Sequence, residues 1–466
     1  MRLWTQRMRI GVVGLYQAGK SVFMTSLINH LRQHDSARLP IGGGRVKLEW
    51  VSDLRPHNGV PRFAYERHRN RLGAMQWPDK TLDVSEYHCL FVRSDHPHRT
   101  VDLSLTDIPG ERLADMTMAG RTYEQWSEMM LELLADTAEY RAYAEPYLAI
   151  MNCPKTATEE VLRAYRRLMG RLIFAYLPVV SPSSFLIDAA GAYVEEEIVR
   201  NRDVEGMAAQ RVSGLDGQRQ FAPLSAAWRR GRPEVAGQFA SAYAAYQQRI
   251  VRPLAEGLRD CDQLVVLVDL TMLLAGGVGM YNGNKQMLRH LLAYIDPGQS
   301  AGTALADNLV THLTAGRLRA ADLLHMLTGG ALRLNSVRRL AFVATKADKI
   351  HEKDRTRLLH LLEDMTRDLV AAARHSTNLK VGHFVCAAVN STESLAEYPF
   401  LTARLPGRDE LPQKYAPSVI PEHWPESWQV GDFRFPNVVP WMPANRDAPP
   451  RHIELDRLWN FLLGIE

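Results

Sequence analysis

Cysteine is scarce here and scattered: the four that 466 residues contain, Cys89, Cys153, Cys261 and Cys386, form no C-x-x-C pair. This spacing points to neither a zinc ribbon nor a disulfide framework, and it fits a reducing compartment. An excess of one charge is missing too. With 56 Lys and Arg against 52 Asp and Glu, the formal net charge of +4 is too small to argue for nucleic acid as a partner. Nor is any apolar run fit to cross a bilayer, because the longest, Leu264 to Ala275, is short and interrupted by Asp269. Met1 to Gln6 contain no apolar core of a secretory signal, and a strand expected from Arg9 leaves no room for one, so a cytoplasmic location is expected. What remains is an ordinary globular composition, 46% apolar and 23% charged, on a chain long enough for two or three domains.

The stretch that organises the rest is Gly14-Leu15-Tyr16-Gln17-Ala18-Gly19-Lys20-Ser21, the pattern G-x-x-x-x-G-K-[ST]. It follows the apolar run Arg9 to Val13 and opens a helical pattern from Val22 to Leu31, the strand, turn and helix order that a phosphate-binding loop requires. Glycine lets successive backbone N–H groups turn inward around phosphate, and the helix directs its partial positive end at them. Gly14, Gln17, Ala18, Gly19, Lys20, Ser21 and Val22 are thus the expected phosphate-binding set, with Lys20 on the β- and γ-phosphates and Ser21 on Mg²⁺. A glycine turn before a helix with a surface lysine is the simpler alternative.

Beyond Gly42-Gly43-Gly44 the chain reads as irregular as far as Pro78, and its arginines Arg62, Arg67, Arg69 and Arg71 suit a solvated helix face better than a nucleic-acid patch. Leu82 to Val92 reads as a strand, and Val101 to Leu105 alternates as another. The second runs into Asp107-Ile108-Pro109-Gly110-Glu111, a D-x-x-G element at a strand's carboxyl end. Asp107 would hold Mg²⁺ through water, and the Gly110 N–H would bond the γ-phosphate. Thr81, just before the first of these strands, is the candidate for a switch threonine completing the metal shell; Thr100 sits closer to a turn.

Residues 112–261 change period. Tyr123 to Leu134, Thr158 to Leu177 and Glu234 to Val251 carry apolar residues at helical spacing, so a mostly helical domain is expected to interrupt the nucleotide-binding fold. Trp126, Tyr140, Tyr147 and Trp228 read as its core. Arg112 and Arg121 follow Asp107 closely enough to swing toward a γ-phosphate, although an exposed arginine at a helix start is the simpler account of either. The fold resumes over 262–392 with the buried-strand run Gln263 to Asp269, then a loop holding Gly276, Gly277, Gly279 and Gly283, then a helix from about Met287 to Ile295. Arg339 to Ala344 leads into Thr345-Lys346-Ala347-Asp348. A [NT]-K-x-D element at a strand end reads guanine: the Lys346 stem covers the ring, and the Asp348 carboxylate accepts from N1–H and the 2-amino group. A last strand, His383 to Cys386, ends at Ala387, whose backbone N–H is the candidate donor to the guanine O6.

With these residues together the chain resembles the YcjX-like family of bacterial P-loop proteins. The resemblance rests on the first loop, Pro61-Arg62-Phe63 with Tyr65-Glu66, Trp77-Pro78 leading to Thr81 and Asp83 to Glu86, Asp107 to Glu111, Cys261 to Gln263 with Val265 to Asp269, Ala344 to Asp348 and the closing Ile453 to Arg457 with Phe461 to Gly464. It implies a Ras-like GTP-binding core that takes GTP or GDP with Mg²⁺, an association with stress responses, and a cytoplasmic partner role to an inner-membrane protein with peripheral membrane attachment. Members have also been labelled ATPases, so an ATP-driven enzyme acting on a partner stays open, as does a scaffold that holds nucleotide without hydrolysis. Cys386-Ala387 stands where the family type would have Ser-Ala.

Residues 393–452 are rich in proline, yet Trp424, Trp428, Phe433, Phe435 and Trp441 suit a small folded subdomain with strands rather than disorder. Residues 453–466 end in an amphipathic helix. The fold class expected is α/β: a Ras-like P-loop core of strand order 2-3-1-4-5-6, second strand antiparallel, with the helical insertion and the C-terminal subdomain added. Glu111 occupies the place of a catalytic glutamine, so hydrolysis is expected to be slow.

Overall fold

Apolar alternation builds the sheet. In the computed structural model, which describes residues 4–15, 18–56, 59–78, 84–136, 138–174, 182, 220–295, 337–374, 379–407, 411–445 and 448–465, Val12, Val265 and Val343 face one side while Val13, Val266 and Phe342 face the other. Both faces are dry, as a sheet with helices on each side requires. Its strands are β1 (Trp4–Gly14), β2 (Leu48–Leu54), β3 (Ser85–Arg93), β4 (His96–Pro109), β5 (Gln263–Val268), β6 (Arg339–Ala344) and β7 (Lys380–Val385). Their order is β2-β3-β4-β1-β5-β6-β7, with β4, β1, β5, β6 and β7 parallel and β3 antiparallel to both neighbours. The expected six-strand order is therefore present, with β2 added at one edge. Register brings Gly14 beside Pro109 and Leu267, and Val268 beside Ala344, so the loops that follow β1, β4, β5 and β6 leave from one end of the sheet.

On one face lie α1 (Lys20–Arg32) and the closing helix α12 (Leu455–Leu463), whose Leu458, Trp459 and Leu462 join Phe23, Leu27 and Phe91. The other face carries α8 (Arg252–Arg259), α9 (Leu270–Ala275), α10 (Gly277–Ile295) and α11 (Arg355–Arg374). A third apolar cluster belongs to the helical stretch: α3 (Tyr123–Asp136), α4 (Ala138–Met151), α5 (Thr158–Phe174), α6 (Ala226–Gly231) and α7 (Pro233–Tyr246), the last running through a π turn at Gln247–Val251 into α8. Trp126, Tyr140, Tyr147 and Trp228 are buried there. Two of these polar tips find backbone: Tyr147 Oη donates to Pro223 O (2.7 Å) and Trp228 Nε1 to Ile150 O (2.9 Å).

The proline-rich segment contains a small antiparallel sheet, β8 (Glu393–Ser394), β9 (Leu401–Ala403) and β10 (Gln413–Tyr415). It then packs Trp424, Phe433 and Phe435 onto the second face, with Trp424 Nε1 on Leu361 O (2.8 Å) and Trp428 Nε1 on Leu274 O (3.0 Å).

Two readings are corrected. The stretch after Gly44 is not irregular, for it supplies β2 and α2 (Tyr65–Gly73). The glycines expected in a loop lie at the end of α9 and inside α10, where Met280 and Leu288 fill the core and outweigh the weak helix propensity of glycine.

Candidate nucleotide site

The first loop turns at Gly19, whose φ of 78° is left-handed and open to glycine at little cost, and α1 begins at once with Lys20. Main-chain bonds hold the turn: Leu15 N–H donates to Leu267 O (3.0 Å), Ala18 N–H to Leu15 O (3.0 Å) and Phe23 N–H to Gly19 O (2.9 Å). Gly14, Ala18, Lys20 and Ser21 are buried and Val22 is half-buried. Gln17 lies outside the described residues.

Lys20 Nζ forms an ion pair with Asp107 Oδ1, both side chains being buried. The other oxygen, Asp107 Oδ2, is buried with no hydrogen-bond partner among the described residues. A buried carboxylate oxygen left open, in a carboxylate paired with the lysine that precedes Ser21, has the chemistry of a Mg²⁺ site, a hard cation held by few protein oxygens and finished by water and phosphate. No cluster of three His, Cys, Asp or Glu that could hold a metal occurs among the described residues, and Mg²⁺ bound in this way needs none. Gly110 opens the 3₁₀ segment Gly110–Met118 against the first loop so closely that a Cβ there would lie 1.8 Å from Gly14 O. Arg112, also in this segment, is buried. Arg121 is turned inward, with Nη1 on Thr117 O (2.5 Å), and burial lowers its pKa. Thr81 and the Glu111 side chain lie outside the described residues. Thr100 sits within β4, buried and opposite Thr5 and Val92, away from any switch position.

The T-K-x-D element is brought to the same end. Thr345 N–H donates to Val268 O (2.9 Å), and Lys346 stands in the left-handed region at φ 56°. Its stem reaches over the first loop: Lys346 Cε lies 3.9 Å from where a Cβ on Gly19 would be. Asp348 is buried, and Ser391 N–H donates to its Oδ2 (3.1 Å) while Thr392 Oγ1 donates to its carbonyl (2.6 Å). Burial raises the Asp348 pKa, against the opposing effect of the Ser391 N–H and the nearby lysines.

The expected role of Ala387 is not met. Its N–H donates to Ile453 O (3.2 Å) and its carbonyl accepts from Ile453 N–H (2.8 Å), a bridge that commits the donor elsewhere. The next residue, Ala388, is half-buried and its carbonyl accepts from Ser26 Oγ.

Three further residues belong to the site. Asp269, Ser391 and Thr392 orient Lys346 or Asp348, and of these only Asp269 left a signal, an acid directly after the apolar run Leu264 to Val268, much as Asp107 lies near the carboxyl end of β4.

Against known proteins, the pattern of the YcjX-like family, DUF463, matches residues 8–188 and 215–465. Two proteins named Ras-like GTPase YcjX are similar along their length. That of Escherichia coli (strain K12) is 24% identical, the match covering 98% of this chain and 96% of that protein. That of Shewanella oneidensis is 23% identical, covering 98% and 94%. With a match that runs through the phosphate loop, the D-x-x-G turn and the T-K-x-D turn alike, the chain belongs to the YcjX-like family.

Proposed function

We propose that this protein binds GTP and GDP with Mg²⁺ and acts as a slowly hydrolysing, nucleotide-dependent switch. The observation that carries the reading is the approach of the Lys346 stem to Gly19, which joins a base-reading turn to a phosphate loop across the one intervening parallel strand, β5. Lys20 and the first loop would take the β- and γ-phosphates, Ser21 and Asp107 the metal, Gly110 the γ-phosphate, and Lys346 with Asp348 the guanine ring. Ala388 replaces Ala387 as the backbone donor to O6. Mg²⁺ would screen phosphate charge and free Asp107 from Lys20. The relatives' names support guanine over adenine. A role in stress response, a protein partner that speeds turnover, and peripheral attachment at an inner membrane belong to the same proposal. No helix among the described residues is long and apolar enough to cross a membrane. The helical stretch and the C-terminal subdomain, as separate domains at the expected boundaries, would carry the partner contacts.

The base is the decisive test. Guanine offers Asp348 two donors, N1–H and the 2-amino group, whereas adenine has an acceptor at N1 and only C–H at position 2. A buried carboxylate left unpaired against adenine discriminates by roughly 10⁴. Asp348→Asn supplies an amide donor suited to the 2-carbonyl of xanthine. Titration with fluorescent nucleotides should show the parent protein preferring GTP over ATP and the variant losing GTP while gaining xanthosine triphosphate. A parent preference for ATP would make the chain an ATPase instead.

A further inference from the structure

Asp269 belongs to none of the three nucleotide motifs, yet it stands between two of them. It follows β5, the strand that separates β1 with its phosphate loop from β6 with its T-K-x-D turn. The side chain is 1% exposed, and its two oxygens are divided between two tasks. Oδ1 caps α9, accepting from Thr271 Oγ1 (2.6 Å) and Met272 N–H (3.0 Å). Oδ2 faces Lys346 Nζ at 2.7 Å. The neighbouring Lys349 directs its Nζ to Asn437 Oδ1 (3.0 Å).

Lys346 needs such an anchor. Its backbone is left-handed, a region that costs a side-chain-bearing residue free energy unless its surroundings hold it, and its stem is a chain of four methylenes with many rotamers. A stem that covers a purine ring must be fixed before the base arrives, or binding bears the entropy of ordering it. The cap fixes Asp269 on the rigid end of β5, and Asp269 in turn fixes the ammonium, which draws the stem across Gly19. Burial alone would raise the Asp269 pKa, but Lys346, with Lys349, holds it below the usual carboxylate range.

We infer that Asp269 is a positioning residue for guanine recognition, holding Lys346 extended over the nucleotide site through a buried ion pair while its second oxygen caps α9. The inference rests on the guanine-nucleotide reading proposed above, and the two can fail separately.

Asp269→Asn makes the test clean, since asparagine caps a helix about as well as aspartate and keeps α9 while losing the charge. The full chain is compared with Asp269→Asn, Lys346→Met and the double variant by titration with fluorescent GDP and by competition with pyrophosphate. Asp269→Asn should bind GDP about tenfold more weakly, the size of one charged hydrogen bond. Pyrophosphate affinity should not move, and the double variant should bind GDP no worse than Lys346→Met alone. Unchanged GDP affinity in Asp269→Asn, losses that add in the double variant, or an equal loss for pyrophosphate would each overturn the role. If Lys346→Met itself keeps full affinity for GDP, the guanine reading falls with it. If Lys346→Met is weakened and Asp269→Asn is not, only the Asp269 proposal falls.

Discussion

Contact between Gly110 and the first loop leaves space for a hydrogen and nothing more. A Cβ at Gly110 would meet Gly14 O at 1.8 Å, a distance that no rotamer adjustment relieves because the backbone fixes the Cβ and the oxygen is itself backbone. Gly110→Ala must therefore push the D-x-x-G turn and the phosphate loop apart, at about 1 to 3 kcal/mol by analogy with overpacked cores. Its melting temperature should fall and its affinity for GTP with Mg²⁺ should fall with it. Gly73→Ala, where a Cβ meets nothing within 4 Å, is the control and should leave the affinity unchanged without lowering the melting temperature. A Gly110→Ala protein that melts and binds like the parent would remove the contact from any switch. At this scale the sequence is most readable where chemistry is local. Lys20, Asp107 and Asp348 are each identified by neighbours within a few positions, and all three lie in or beside the connections that leave β1, β4 and β6. Ala387 was misread because its partner, Ile453, lies 66 positions away, and nothing near either residue announces the bridge.

Among the elements, α1 links the phosphate loop to the C-terminal segment through histidine. His30, 1% exposed, shares a hydrogen bond with Pro450 O (3.0 Å), and its ring meets that of His452 edge-on at 4.9 Å. Burial first, then the charges of His452, Arg38 and His34, depress its pKa to about 3. The native state thus holds His30 neutral, while an unfolded chain would protonate it near its ordinary value of about 6.5. Stability from this group is full above about pH 6.5 and is lost as pH falls toward 3, by about 1.4 kcal/mol per pH unit for one proton. His452, lowered by burial, acts in the same direction. Melting temperatures measured from pH 7.5 to pH 5 should decline, and the decline should be shallower in His30→Gln. An equal slope in both proteins would exclude His30 as its source. Elements also show why pattern reading stops where it does. Leu48 to Leu54 does alternate, but its bulge between Trp50 and Ser52 breaks the period and the three glycines before it suggest a loop. In α10 the glycines misled in the same way, because the packing of Met280 and Leu288 on the sheet is invisible to local propensity.

For the molecule as a whole, the question is what supplies hydrolysis. The 3₁₀ segment that follows Gly110 leads into the helical stretch, and its Asp115 carboxylate accepts from Tyr246 Oη (2.9 Å), so the turn that would sense the γ-phosphate is bonded to the π turn's neighbour on α7. Sequence-distant packing of this kind, 131 positions apart, could not be read from spacing, whereas the helical character of the stretch could. Such anchoring suits a switch better than a fast enzyme. Where a Ras-type protein orients water with glutamine, this chain has Glu111, and a carboxylate facing the γ-phosphate would repel it. Of the two arginines nearby, Arg121 is half-buried and occupied by Thr117 O, so Arg121→Ala should lower the melting temperature without changing turnover. Arg112, in the 3₁₀ segment next to the site, is the internal residue whose loss should slow turnover. Unaided single-turnover hydrolysis of GTP is expected on the order of 10⁻³ per second, the range of unassisted members of the wider class. Rapid hydrolysis near 1 per second would refute the switch. If Arg112→Ala then abolished that rapid rate, it would identify Arg112 as an arginine finger supplied within the chain. If the slow rate is observed and Arg112→Ala leaves it unchanged, acceleration has to come from a second protein, and the helical stretch bonded to the switch is where that protein would act.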